Sequence, residues 1–325
     1  MSMRLEMLQV ARLAPKLLAD SAGLVRAFLL GQQNEDGGFK DRAGRSDLYY
    51  TVFGIDGLLA LDVSSFKFQV SSPGPTGRLT QAARYAGGFG DGGGLDFVHL
   101  CCLARAWGAV CGQADPTRCP SELRAAILRR VETFRSRDGG YSPVASAEFG
   151  TAYGCFLGLG AYQDLQDQLP EPLRLVQCLK SLETEDGAWT NERVFPVPPT
   201  PHSAVRTPQS KVGSTNATAA ATTVLRNLSL PINPSVSDWL LARAHPDGGF
   251  RATPNAPMPD LLSTATALHA LSGMQVSFEH IKEKCLDFLD TLWTNDGAFH
   301  GHWGDDHLDC EYTYYGLLAL GHLSL

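Results

Sequence analysis

The sequence predicts an all-α protein built as a stack of six helical hairpins. Three observations lead there. Two stretches near the ends of the chain copy one frame: Asp47-Leu48-Tyr49-Tyr50-Thr51-Val52-Phe53-Gly54 and Asp309-Cys310-Glu311-Tyr312-Thr313-Tyr314-Tyr315-Gly316. Weaker copies in the same phase occur at Asp96 to Leu100, Ala147 to Thr151, Ser214 to Thr218 and Asp260 to Thr264. A glycine turn ending in an aromatic precedes each copy, at Phe39, Phe89, Tyr141, Trp189, Phe250 and Phe299. A period of about 50 residues is the mark of a repeat architecture. The one longer gap, between Trp189 and Phe250, requires an insertion.

The elements follow in order. Residues 1–30 form a helical extension, which Pro15 divides and Gly31 ends. Residues 31–325 form a single domain of six repeats. A helix runs from about Asp47 to Leu61, and a Ser/Pro/Gly-rich loop covers 63–77. A short helix is expected over Leu79 to Tyr85, and the second repeat's inner helix reaches Trp107. Ser121 caps an amphipathic helix whose stripe is Leu123, Ile127, Val131 and Phe134. A small-residue helix spans Thr151 to Gly160, and Pro172 opens the next in its first turn. Ser235 or Ser237 caps the Trp239 helix, and Ser277 caps the helix of Ile281, Cys285, Phe288 and Leu292. Residues 190–214 hold five prolines and no helical period, so they are the inserted loop. Six hairpins can stack as an open solenoid or close into a ring, and periodicity alone decides neither.

Composition narrows the function. Charge is sparse at 19% and the net charge is −7, which excludes a basic nucleic-acid footprint. The longest uncharged stretch, Phe149 to Gln163, is too short and Gly-rich to span a bilayer. No signal peptide is visible, and none of the eight cysteines forms a Cys-x-x-Cys pair. These features lead us to expect a cytoplasmic protein with free thiols.

The Gln33 to Phe39 turn and the Asp47 and Asp309 frames resemble the β-subunits of protein prenyltransferases, closest to the Rab-type geranylgeranyl transferase β-subunit. Squalene and oxidosqualene cyclases share the Asp-Gly-aromatic turns. The resemblance spans about Gly31 to Leu320. It implies an α/α toroid, six inner and six outer helices around an apolar funnel, and a catalytic zinc held by Asp, Cys and His. Here the Asp position is Asp260, but the Cys position is Leu262 and the His position is Tyr312. Neither replacement is a useful zinc ligand. The family's basic diphosphate cradle is reduced to Arg251, off register, and its fourth-repeat His falls on Ser214. The cyclases' Asp-x-Asp-Asp acid is absent, Gly304-Asp305-Asp306-His307 being a loose echo.

The residues left to carry chemistry are few. The loop from Phe299 to Glu311 holds three His, three Asp, a Cys and a Glu. A relocated metal site there would use Asp260, His307, Asp309 or Cys310, with zinc or another borderline metal expected; the alternatives are no metal and a solvated acidic loop whose Asp309 caps the next helix. Asp309, His99 and Asp96 are the candidate catalytic groups. His99 sits three residues after Asp96 at a helix start, where the dipole favours its neutral form. Tyr50, Tyr312, Trp303, Trp107 and Asp47 are the candidate substrate-binding residues, the aromatics by contact and cation–π attraction. The expected function is a prenyltransferase-like or terpenoid-cyclase-like enzyme handling an isoprenoid in a central funnel, with an α-subunit-like protein as the expected partner. The alternative is a non-catalytic toroid that binds a lipid-like ligand or a protein.

Overall fold

A computed structural model describes residues 2–61, 75–114, 119–193 and 212–325, with backbone only at 75–76 and 111–114. Most of the 63–77 loop and of the 190–214 insertion therefore lies outside the described residues. The described chain forms fourteen α-helices. Six are inner helices: α4 (Leu48–Leu61), α6 (Phe97–Ala114), α8 (Ala152–Asp164), α10 (Thr215–Asn227), α12 (Leu261–Gly273) and α14 (Cys310–Leu323). Six are their outer partners: α3 (Ala22–Gly31), α5 (Pro75–Gly87), α7 (Ser121–Glu132), α9 (Pro172–Ser181), α11 (Ser235–Leu241) and α13 (Lys282–Leu292). The first outer helix thus begins before Gly31, and the extension proper is α1 (Met3–Ala11) and α2 (Pro15–Leu18).

Each inner helix packs on the next, and α14 packs on α4 as closely as α4 packs on α6. That contact closes the ring.

The repeat frame has a mechanical meaning. Its Asp caps the inner helix: Asp47 accepts from Tyr49 N, Asp260 from Ser263 N and Asp309 from Tyr312 N. Its Thr ties the turn to the helix. Thr51 Oγ1 donates to Asp47 O and accepts from Phe39 N, and Thr264 makes the same two bonds to Asp260 O and Phe250 N. Its Gly seats the turn aromatic, since a Cβ on Gly54, Gly158 or Gly316 would lie 2.1, 2.4 or 2.5 Å from the ring of Phe39, Tyr141 or Phe299. The second repeat has Leu100 and Leu103 at the Thr and Gly positions, and its aromatic Phe89 is only half-buried. The turns are small hairpins, with Gln33, Arg135, Glu183, Ala244 and Trp293 each bridged to the aromatic six residues on. The first adds the two-stranded ladder β1 (Phe39–Lys40) and β2 (Ser46–Asp47).

Gly316→Ala tests the seat. The added methyl must displace the Phe299 ring, so a loss of roughly 1–3 kcal/mol is expected, although alanine is otherwise the better helix former. Gly23, where an added Cβ would meet nothing within 4 Å, is the control. Thermal melts showing equal effects at both positions would contradict the seat.

Three cap assignments change. Pro120 and Pro234, not Ser121, Ser235 or Ser237, occupy the cap positions of α7 and α11, and neither makes a side-chain cap bond. Ser277 accepts from Glu279 N at 3.4 Å, but a 3₁₀ turn over Glu279–Ile281 intervenes before α13. Proline cannot continue a preceding helix and is pre-shaped for the next one, so it takes the place expected of serine.

The extension has a clear place. α1 reaches all six inner helices near their C-terminal ends. Arg4 donates to Asp56 of α4 (3.0 Å), Gly108 O of α6 and Asp164 of α8 (3.3 Å each). Glu6 pairs with Arg226 of α10 and lies 3.9 Å from His269 of α12. Val10 O sits so close to α14 that a Cβ on Gly321 would be 2.1 Å from it. The ring is therefore floored at one end, and the helix N-termini form the other.

Candidate functional site

Counting from each cap locates the interior. The second position of the six inner helices is Tyr49, Val98, Tyr153, Asn216, Leu262 and Glu311. The sixth is Phe53, Cys102, Leu157, Ala220, Thr266 and Tyr315. Positions four apart share a helix face. In α8, α10, α12 and α14 both positions keep accessible surface. Tyr153 is 40% exposed, yet its phenol is pushed upward by desolvation and by Cys102 and Glu311. Tyr49 feels Tyr315, Glu311 and Tyr153 in turn. Helix α8 is three places from α14 around the ring, so these side chains lie within electrostatic reach of one another across the ring interior, the chamber.

Among the described residues, Glu311 is the one carboxyl at these interior positions. Tyr49 Oη donates to Glu311 Oε1 at 2.5 Å, linking α4 to α14. Burial pushes the Glu311 carboxyl up to about 7; the Tyr49 bond and Arg42 pull it down, and Asp309 pushes it further up. Aromatic rings surround this pair. Tyr49 lies 5.1 Å from Phe53, and Phe53 lies 5.5 Å from Tyr315. Beneath them, Arg105 donates to Asp56 through Nε (3.0 Å) and Nη2 (2.7 Å) and stacks over Phe53 and Tyr314.

The rim above is polar. His99 donates through Nε2 to Asp47 (3.0 Å) and through Nδ1 to Asp96 (2.7 Å). The Asp47 hydrogen bond leads in raising its pKa to about 9, so His99 is an imidazolium at neutral pH. This corrects the expectation of a neutral ring. The dipole effect of about 0.3–1 kcal/mol is outweighed by two charge-assisted bonds of about 1.5–3 kcal/mol each. Both Asp47 and Asp96 are held below the usual carboxylate range by the same contacts, although burial opposes it. On the other side, Arg42 bridges Asp309 (3.0 Å) and Asp305 (3.2 Å) and lies over the Tyr312 ring. Tyr50 stands beside this group, its phenol pushed up to about 12 by burial, Asp309 and Glu311.

The aromatic candidates separate accordingly. Tyr50, Tyr312 and Asp47 are at the rim. Trp303 is not: it lies on the outer wall, bonded to Thr291 and packed edge-on against Phe288 and His245. Trp107 is buried in the wall and faces Gly87 of outer helix α5. An indole can fill any inter-helix gap, so its presence in an inner helix does not set its direction.

The metal candidates do not form one donor set. Asp260 uses both oxygens on Ser263, at 2.7 Å each. Cys310 is fully buried, its thiol pushed well up by desolvation. His307 is tied to Asp305 at 3.0 Å. Among the described residues no group of three or more His, Cys, Asp or Glu is placed to hold a metal ion. With Leu262 and Tyr312 at the implied ligand positions, the residues present do not fit a zinc of the protein prenyltransferase kind. Sequence reasoning missed Glu311 and Tyr153 as chamber residues, although their register from the cap was available.

A closed ring of inner helices inside a ring of outer helices defines an α/α toroid. The chain belongs to the prenyltransferase alpha-alpha toroid domain family, whose sequence model matches residues 5–104 and 198–324. Among solved structures it is similar to a variant of the type II terpene cyclase MstE from Scytonema in complex with geranylgeranyl dihydroxybenzoate. That likeness has 16% identity and a TM-score of 0.55, covering 96% of this chain and 97% of that one. It is also similar to Candida albicans protein geranylgeranyltransferase-I complexed with GGPP, at 13% identity and a TM-score of 0.63, covering 93% and 90%. A protein from Actinoplanes is similar at 14% identity and a TM-score of 0.55, covering 94% and 99%. No curated protein matches the chain. Among the described residues no helix is long and apolar enough to cross a membrane.

Proposed function

We propose that the chamber takes the hydrocarbon chain of an isoprenoid, and that the protein is a prenyltransferase-like or terpenoid-cyclase-like enzyme working on that chain. The observation that carries this is the Tyr49–Glu311 hydrogen bond, flanked by the rings of Phe53 and Tyr315 and within electrostatic reach of Tyr153, inside a ring floored by α1. Aromatic faces suit an unsaturated chain by contact and a developing carbocation by cation–π attraction. The cyclase neighbour holds a geranylgeranyl substrate and the transferase neighbour holds GGPP, which agrees with a polyene of that class. The reduced basic cradle favours recognition of the chain over its head group. The donor set described above favours chemistry without zinc at the family's position. An α-subunit-like partner remains part of the proposal as a contributor outside the chamber.

Calorimetric titration tests this with geranylgeraniol and geranylgeranyl diphosphate. Binding of the alcohol in the micromolar range is expected. Tyr153→Ala should weaken it by ~10-fold or more, on the order of the 1.5–3 kcal/mol of a buried large side chain. Binding of neither compound, or binding indifferent to Tyr153→Ala, would place the ligand elsewhere. A non-catalytic toroid would give the same titration and differ only in turnover.

A further inference from the structure

A cavity of about 340 Å³ lies away from the chamber, where the extension meets the last outer helix. Residues of α2, α13, α14 and the repeat-six turn line it together. Its back is apolar, formed by the buried Phe299 and Leu320. The exposed Leu17 of α2 and Trp293, just past α13, carry the apolar lining outward. Asp287 and Asp290 of α13 also line it, and both are exposed.

These two carboxylates are left without a counter-ion. Among the described residues neither has an ion pair or a side-chain hydrogen bond, and no basic side chain lines the cavity. The lysines of α13 are engaged elsewhere, Lys282 with Glu279 (3.7 Å) and Lys284 with Pro246 O (2.9 Å). The placement is electrostatically poor by itself. Like charges three residues apart on a helix repel one another. Asp290 also lies in the last turn of α13, which holds no basic residue and where the carbonyl end of the helix is already negative. A cation between the two carboxylates relieves both faults. Trp293 adds an aromatic face, which attracts a cation further.

We propose that this cavity binds a small hydrophobic ammonium ion, with its apolar body against Phe299, Leu320 and Leu17 and its charged nitrogen between Asp287 and Asp290. The volume is at the low end of ligand pockets, roughly 300–1,000 Å³. It suits one ring on a short tether and is too small for a long polyene. The site touches the frame of repeat six. Trp293 packs edge-on against Phe299, with ring centroids 5.1 Å apart, and Phe299 rests on Gly316 of α14. A bound ligand therefore braces the seat of the last inner helix, and binding to the folded state alone raises its stability by mass action. Nothing in this site requires the chamber to hold an isoprenoid.

The test is calorimetric titration of the full chain with phenethylamine, phenethyl alcohol and hydrocinnamate. The three share one apolar body and end in an ammonium, a hydroxyl or a carboxylate. The amine is expected to bind with a Kd on the order of 0.1–1 mM, the alcohol ~10-fold more weakly or worse, and the carboxylate not at all. The melting temperature should rise with amine concentration. The double variant Asp287→Asn/Asp290→Asn should lose ~10-fold or more in amine affinity and bind amine and alcohol alike. Both positions are exposed, so the fold is expected to stand. Leu17→Asn should weaken amine and alcohol together. Tyr153→Ala, which alters the chamber, should leave amine affinity within ~2-fold. No amine binding at about 10 mM overturns the proposal. So does amine affinity unchanged in the double variant, or carboxylate binding equal to that of the amine. Loss of amine binding in Tyr153→Ala would place the amine in the chamber and overturn it as well.

Discussion

Asp56→Ala is expected to destabilise the protein by about 3–5 kcal/mol, enough to unfold much of the population near physiological temperature. The Asp56 carboxylate is wholly buried and joins two guanidinium groups, Arg4 at 3.0 Å and Arg105 at 2.7 Å. Removing it leaves two cations with one remaining salt bridge among the described residues, Arg4 to Asp164 at 3.3 Å. Burial pushes the Asp164 carboxyl up to about 6, against the pull of both arginines, so it is a weaker substitute at lower pH. Arg4→Met should cost less. It removes a charge and keeps the apolar stem, and Asp56 retains both bonds from Arg105. Chemical denaturation gives the order. If Asp56→Ala came within about 1 kcal/mol of the wild type, or if Arg4→Met were the worse of the two, the cluster would not be the anchor of the floor. Hydrogen exchange supplies a second readout: Arg4→Met should expose the amides of α1 well before those of the inner helices.

The sequence showed the repeat because each repeat solves the same local problem with the same parts. Asp, Thr and Gly recur since a cap, a tie and a ring seat are required wherever a glycine turn meets an inner helix. Ring closure was not legible in that way. It depends on α14 meeting α4, and the pattern of either helix would serve an open stack equally well. The role of the extension was hidden for a related reason. Arg4 in α1 resembles any charge on an amphipathic helix until Asp56 and Asp164 arrive from elsewhere in the chain. His99 shows the limit of local electrostatics. Its helix terminus was located correctly, but its charge state is set by Asp47 on the neighbouring helix. Trp107 and Trp303 show the limit of composition, since an aromatic side chain reveals neither inner nor outer face. Register did hold the missing information. Glu311 and Tyr153 stand at the same distance from their caps as Tyr49, and that equivalence points all three into the chamber.

Glu311→Gln is expected to stabilise the protein at alkaline pH and to leave its stability almost unchanged in acid. The sign follows from linkage. The folded state raises the Glu311 carboxyl from 4.5 to about 7, so between those values the folded chain binds more protons than the unfolded one. Stability therefore falls as pH rises through that window, and the whole penalty is present above pH 7. By linkage it amounts to roughly 3 kcal/mol at most. Glutamine keeps an acceptor for Tyr49 and never ionises, so the penalty disappears. Melting curves from pH 4 to pH 8 should start together and separate by several degrees near neutrality. Parallel curves across that range would mean that solvent screens Glu311 and that the chamber does not desolvate it. Tyr49→Phe should move the other way, since the carboxylate then loses its one donor among the described residues and costs more. A half-buried, desolvated carboxyl held at such expense is hard to explain as packing, because glutamine or leucine would serve a structural wall better. Its presence agrees with a side chain used for its charge or its proton, and the separation of the melting curves should level off near the folded carboxyl's pKa of about 7.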